Sequence, residues 1–427
     1  MRALGLALAM FLPLCACDTG RGVLGLASHA RKNATMHEPY AYQLAVHEAH
    51  TPPLWFLDIA PAGMTLSSQG LLEWTPQYDD IGWHTIWVHA QYDGKTATQT
   101  WDLHVHQGVE LGTTLSPRHH TLASTQQDWT SFFSGHAAHG SVIAFHTNWR
   151  DAGAHGGQTP QLAAQAMTWA HDFHFTAAIG LGWADGAGAP DLASDSDPLD
   201  NSWSNAETRA EFLAMVTHLA QSRKPKYLFL GNEVNTYYLT HTPGEWNAWV
   251  SEFSACYDAI KLASPNTLVS MAFQLEHLKG LGSATTGWTD PPQWNIVDQI
   301  VATGKLDALA FTTFPYFEYT TPAAIPSPYY DEIASHWSGP VIFSELGWLA
   351  APHAPYPGAE SDQADFVATF FDRTRNLDLA YATWLFLHDW DQQATAPEIA
   401  DIGLRNNDAS VIRAADSKWT GAVLLRE

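Results

Sequence analysis

Residues 226–234 read KYLFLGNEV, and residues 340–348 read PVIFSELGW. In each, an apolar run breaks directly into a glutamate, Glu233 in the first and Glu345 in the second. A carboxylate inside a buried strand is strongly unfavourable, so each Glu marks the point where a strand reaches an open face. Working outward, apolar runs of strand length recur at about 110–115, 141–146, 175–181, 226–231, 267–274, 306–313, 340–345 and 380–387. Helical signals separate them. Ser204-Asn205-Ala206-Glu207 reads as a capping box, and Phe212, Leu213, Val216, Leu219 and Ala220 follow at helical spacing. Thr159-Pro160, Thr242-Pro243 and Ser327-Pro328 read as helix starts with Pro at the first helical position. Eight β/α units predict a (β/α)8 TIM barrel over 109–427. On that count Glu233 ends strand 4 and Glu345 ends strand 7, at the C-terminal mouth where barrels place their chemistry.

Upstream the rhythm differs. Ile86, Val88 and Ala90 alternate with polar or aromatic neighbours, as do Leu103 and Val105. Turn signals fall at Pro61-Ala62-Gly63, Ser68-Gln69-Gly70 and Asp93-Gly94. This predicts a small all-β sandwich over 35–108. Residues 17–34 are small, polar and basic, as a tether would be. At the start, Arg2 precedes the apolar run Ala3 to Leu14, which is too short to span a bilayer as a helix. Arg2 and the apolar run together read as an export signal.

Composition narrows the partners. Of 427 residues, 44 are acidic and 20 basic, a net charge of −24 that argues against nucleic acid and anionic membrane surfaces. It is compatible with neutral polysaccharide. The 19 Trp, 14 Tyr and 19 Phe fit stacking on sugar rings, although core packing accounts for most aromatics in any fold. The chain has three Cys, two of them at the export segment, Cys15 and Cys17, and the third, Cys256, in a helix-like stretch. No zinc-type Cys/His spacing occurs; His119-His120 and His136/His139 lack a third ligand at a persuasive spacing, so no metal is expected.

Three resemblances sharpen these expectations. Leu14-Cys15-Ala16-Cys17 resembles a bacterial lipobox, which implies cleavage after Ala16 and a lipid on Cys17. The chain would then be exported and anchored to a bacterial membrane, periplasmic or at the cell surface. PAGMTLSSQGLLEWTPQYDDIGWHTIWVHA, residues 61–90, is similar to Ig-like and cadherin-like modules of bacterial surface proteins. Asn-Glu at the end of strand 4 with Glu at the end of strand 7 resembles the clan A glycoside hydrolases. GNEV, SELGW and TTFPYFEY (312–319) look most like the family 17 endo-β-1,3-glucanases, and family 53 galactanases share a similar Asn-Glu. Leu346 and Leu349 depart from the family 17 pattern, so the resemblance carries the clan and leaves the sugar open.

The clan resemblance implies a retaining hydrolase of β-linked polysaccharide or oligosaccharide, without cofactor. Glu233 would be acid/base and Glu345 nucleophile, about 5–5.5 Å apart as retention requires. Asn232 would bond the sugar 2-hydroxyl, and Tyr316 would orient Glu345 through its hydroxyl. Trp384 would be a sugar platform. His146, Trp149, Arg150, Gln274 and Trp348 follow strand ends and are further substrate-binding candidates, as are Trp183, Asp185 and His388; Arg150 or Arg118 would clamp the nucleophile. Two other readings use the same residues. One is a transglycosylase; the other is a non-catalytic glycan-binding surface lipoprotein.

Overall fold

A computed structural model of the chain describes residues 26–47, 49–119, 124–150, 161–183, 190–195, 197–283, 285–391 and 396–426. Residues 1–16, which the sequence suggests are an export signal, Cys17, His120, Thr159-Pro160 and Asp185 lie outside the described residues. The chain divides into two compact units between Val105 and His106.

The first unit holds β1 (Asn33–Thr35), β2 (Tyr40–Gln43), β3 (Leu54–Ile59), β4 (Thr65–Leu66), β5 (Leu71–Trp74), β6 (Gly82–Tyr92) and β7 (Lys95–His106). They form a four-stranded sheet, β1-β7-β6-β3, and a three-stranded sheet, β2-β5-β4. Tyr40, Tyr42, Leu72 and Trp74 of the small sheet share one core with Ile86, Val88, Trp101 and Leu103 of the large one. The turns follow from their residues. Asp93 and Gly94 both have positive φ, 50° and 72°, as a tight two-residue hairpin between β6 and β7 demands. Gly70, at φ 80°, lies against Trp55, whose ring would be 2.7 Å from an added Cβ.

The second unit is a closed (β/α)8 barrel. Its strands are β8 (Glu110–Thr114), β9 (Val142–Asn148), β10 (Thr176–Gly182), β11 (Tyr227–Leu230), a split fifth strand β12 (Leu268–Ser270) and β13 (Ala272–Gln274), β14 (Leu309–Thr313), β15 (Val341–Leu346) and β16 (Leu379–Trp384). All neighbours run parallel, β16 pairs back to β8, and β12 and β13 pair with opposite neighbours, which closes the ring through strand five. Inward positions build a tight interior from Val142, Ala144, Ala178, Phe229, Ala310 and Tyr381. Outward Ile143, Phe145, Ile179, Leu228, Phe311 and Phe343 pack under the helices. Both faces of each strand are thus apolar, which is why the strands read as continuous runs.

The helices are α1 (Gln126–Gly135), α2 (Gln161–Asp172), α3 (Ala206–Arg223), α4 (Val234–Thr240), α5 (Pro243–Ala263), α6 (Leu275–Leu278), α7 (Trp294–Ala302), α8 (Glu360–Arg373) and α9 (Ala414–Arg426). Thr242 caps α5 with Pro243 behind it, as its sequence predicts. Two helix signals resolve differently. The cap of α3 is Asn205, whose side-chain Oδ1 accepts from Glu207 N at 2.9 Å, while the Ser204 hydroxyl donates to Glu245. Ser327-Pro328 opens no α-helix. Between β14 and β15 run short 3-10 turns at Pro315–Phe317, Pro322–Ala324 and Asp331–Ser335. Pro315, Pro322, Pro326 and Pro328 come too close together for an i→i−4 ladder to propagate.

Candidate active site

Gly231 leaves β11 at φ 100°, and an added Cβ would lie 2.3 Å from the Trp183 ring, so only glycine fits. Glu233 follows at φ 51°, ψ 44°, as the residue preceding α4. These two left-handed positions turn Asn232 and Glu233 out of the strand. Glu345 is aimed by a different device. Phe311 pairs with Phe343, but Thr312 pairs with Glu345, so Ser344 is an extra residue in β15. Such a bulge inverts the in–out alternation. Phe343 faces the helices and Glu345, two residues later, faces the mouth.

The two carboxyls line one cavity of about 730 Å3, together with Asn232, His146 and Gln274. Thr312 Oγ1 donates to Glu233 Oε1 at 2.7 Å. Asn232 Nδ2 donates to Glu345 Oε1 at 3.4 Å, and His146 Nε2 lies 3.3 Å from the same oxygen. Gly180, the register partner of His146, gives its imidazole room, since a Cβ there would meet Nδ1 at 2.6 Å. A second cavity, about 510 Å3, shares His146, Asn232 and Glu233 with the first and continues past Trp183, Tyr237 and His241.

Burial pushes Glu233 up to about 7, and the charges of Glu345 and Glu276 add to this while Thr312 opposes it. Burial pushes Glu345 up to about 7 as well, opposed by Asn232. Two such neighbouring carboxyls share one proton near neutrality. The Asn232 donor favours placing the charge on Glu345. Burial lowers His146 to about 4, so its imidazole is neutral there.

Several candidates from the sequence lie elsewhere. Tyr316 is wholly buried and its hydroxyl donates to the Glu398 carbonyl at 2.6 Å, not to Glu345, because the 3-10 turn after β14 carries the ring behind the mouth. Trp384 is no platform: it is wholly buried, donates to Ile402 O at 2.7 Å and packs on Phe366 and Trp419, since its position in β16 faces the helices. Trp348 is packed between Tyr316 and Phe366. Trp149 is buried on Phe212 and donates to Asp191 O. Arg150 pairs with Asp195 at 3.0 Å and Arg118 with Asp128 at 2.8 Å, so neither clamps Glu345. His388 Nδ1 bonds Ser116 O at 2.8 Å. His136 bonds Val142 O and His139 pairs with Asp416 inside the core. Cys256 is buried and donates to Glu252.

The aromatic lining comes from residues the sequence reading passed over. Trp288 stacks on His277 with centroids 4.1 Å apart, Trp390 stacks on Phe386 at 5.7 Å, and Trp129 and Tyr356 complete the wall. Trp390 carries a usable signal, a Trp in the loop shortly past the end of β16, whereas Trp288 comes only after β13 and α6 and carries none. Thr312 and Glu398 also line or support the site; Thr312 is masked in sequence as one more small residue of an apolar strand.

The fold is one that known glycoside hydrolases use. A family 39 glycoside hydrolase from the gut symbiont Bacteroides cellulosilyticus WH2 superposes with a TM-score of 0.52 at 14% identity, covering 95% of this chain and 83% of its own. A GH5_18 protein from Streptomyces cattleya, in complex with Manb1-4GlcNAc, gives 0.55 at 18% identity over 74% and 80%. An exo-beta-1,4-mannosidase from Opitutaceae bacterium strain TAV5 gives 0.53 at 15% identity, and this chain covers 59% of its length. No protein-family profile and no curated protein sequence matches the chain.

Proposed function

We propose that the chain is a retaining glycoside hydrolase acting on a neutral β-linked glycan. The carrying observation is the pair Glu233 and Glu345, from strands 4 and 7, lining one cavity with Asn232 and His146 at the same Glu345 oxygen. Glu345 attacks the anomeric carbon while Glu233 gives its proton to the departing glycosidic oxygen, leaving a glycosyl ester on Glu345. Loss of the Glu345 charge then lowers the proton affinity of Glu233, which takes a proton from water as that water displaces the ester. Asn232 serves the sugar hydroxyl beside the nucleophile. The two cavities flanking Glu233 support a glycan that extends to both sides of the cleaved bond. Trp288 and Trp390 offer ring faces to sugar C–H surfaces.

The test is product release by the purified chain from β-1,3-glucan, β-1,4-galactan, β-mannan, xylan and mixed-linkage glucan, beside Glu233→Gln and Glu345→Gln. A 2-deoxy-2-fluoro glycoside of the sugar released should add its mass to the peptide holding Glu345. Products longer than the substrate would make the chain a transglycosylase. Retained binding without any release would instead favour a glycan-binding lipoprotein.

The lipobox-like start supports export and a lipid on Cys17, and the motif of residues 61–90 supports an Ig-like spacer ahead of the barrel. Metabolic labelling with an alkyne fatty acid should mark the wild-type chain and not Cys17→Ala.

A further inference from the structure

The outward face of the first unit's larger sheet carries an aromatic row that the barrel chemistry does not use. On β6, Ile86 and Val88 point into the core, so Trp83, Thr85, Trp87 and His89 point outward. Trp83 is 68% exposed and Trp87 41%. Strand register sets Phe56 of β3 beside His89, and Asp102 and His104 of β7 beside Thr85 and Trp83. Two of the rings are backed by a histidine. Trp83 stacks on His104 with centroids 4.4 Å apart and planes within 16°, and His104 beneath it is only 5% exposed. Phe56 stacks on His89 at 4.5 Å, and His89 Nδ1 bonds Asp58 Oδ2 at 2.6 Å. One face of each ring is thus occupied and the other is turned to solvent. The main cavity presents Trp288 in the same way, on His277, which lies 3.1 Å from Asp290.

Polar groups interleave with the rings. Thr85 Oγ1 donates to Asp102 Oδ1 at 2.9 Å, and a carboxylate has lone pairs for several donors, so Asp58 and Asp102 can each accept a further hydroxyl. Among the described residues, no Lys or Arg stands at an outward position of β3, β6 or β7. This combination selects the occupant. A close-packed apolar partner or an acyl layer would strip water from both carboxylates without giving them donors. An anionic lipid surface or a nucleic acid is repelled by those carboxylates and by the net charge of −24. A neutral sugar brings a C–H face to each ring and hydroxyl donors to each carboxylate. Trp83 and Trp87 are four residues apart on one strand, about 13 Å, and Phe56 lengthens the row beyond Trp87. That span fits an extended oligomer better than a single sugar ring.

We propose that the outward face of β3, β6 and β7 is a second glycan-binding site, which takes an extended neutral β-glycan across Trp83, Trp87 and Phe56. The choice of a β-glycan rests on the hydrolase reading of the barrel; the binding itself does not. The test uses the full chain carrying Glu345→Gln, so that polymer is held and not cut. Depletion isotherms are run on insoluble β-1,3-glucan, β-1,4-glucan, β-mannan and xylan. Trp83→Thr together with Trp87→Thr keeps strand-forming side chains and weakens binding to the best-held polymer by roughly tenfold. Leu262→Ala, at an exposed position of α5, leaves that binding unchanged. With Glu345 restored, the paired Trp substitutions leave cleavage of a soluble oligosaccharide unchanged. Equal binding by the double variant overturns the proposal, as does a parent chain that holds none of the four polymers. So does a change in sedimentation with glycan binding intact, which would make this face a contact between copies. Should the double variant fail to fold, the 15N indole resonances of Trp83 and Trp87, assigned through single Trp→Phe substitutions, decide the matter. They shift on titration with soluble fragments of the bound polymer, and static resonances overturn the proposal. Tryptophan-dependent polymer binding by a chain that cleaves nothing would uphold this face and sink the hydrolase reading.

Discussion

Glu345 is held at a disadvantage to folding. Its pKa rises from 4.5 to about 7 on burial, so the folded state binds more protons than the unfolded chain between those values. Stability therefore falls as pH rises through that window, and the full penalty is present above about pH 7. Glu345→Gln removes the charge and still accepts from Asn232. It should unfold like wild type near pH 4 and be more stable by roughly 2–3 kcal/mol at pH 8, read by denaturant titration at both pH values. Equal stability at pH 8 would mean that the carboxyl is better solvated than its surroundings imply. Activity should follow a bell centred near pH 7, because only the singly protonated pair is productive. A flat profile from about pH 5 to pH 9 would contradict that.

At the scale of elements, the site depends on two departures from regular strand geometry. Gly231 opens the turn that frees Asn232 and Glu233, and the extra residue Ser344 rotates Glu345 to the mouth. Gly231→Ala brings a Cβ to 2.3 Å from Trp183 in a backbone conformation that L-residues rarely adopt. It should lower stability by roughly 2–4 kcal/mol and activity at least tenfold, with thermal melts and initial rates as the readouts. Loss of activity should exceed what the unfolded fraction explains, since the displaced segment carries Glu233. Glu245 braces the same region: it accepts from Trp203 N at 2.8 Å and from the Tyr237 hydroxyl at 3.1 Å, beside the second cavity.

At the scale of the whole molecule, charge and closure matter most. The net charge is −24, and the main cavity is lined by Glu233, Glu345 and Glu398 with no Lys or Arg among the described residues. An anionic glycan meets repulsion both on approach and on binding. On the proposed function, a carboxymethylated form of the neutral polymer substrate should be degraded at least tenfold more slowly than its parent at low salt, and added salt should recover part of that loss. Equal rates would show that charge plays no part in selection. Closure joins the ends of the second unit: Gly108 N and Val109 N donate to Arg426 O, and buried Trp419 of α9 donates to His139 O and packs on Trp384. Trp384 thus serves the seam of the barrel.

The sequence by itself determined the eight strands, their order, and the emergence of Glu233 and Glu345 at the ends of the fourth and seventh. An apolar run that stops at a carboxylate encodes both a buried strand and its exposed end, and that signal is local. Only the tertiary structure decided which buried side each residue faces. Periodicity cannot place Trp384 against the helices, because both faces of β16 are apolar, nor Trp390 against the cavity, because it sits in a polar stretch whose course depends on how the loop after β16 folds back. It cannot show Ser344 as a bulge, since one extra residue leaves composition unchanged while inverting the side on which Glu345 lies. Nor can it find Glu276, whose four hydrogen-bond partners come from β13, β14 and a loop some fifty residues downstream. Long-range hydrogen bonds of that kind exist only once the barrel has closed.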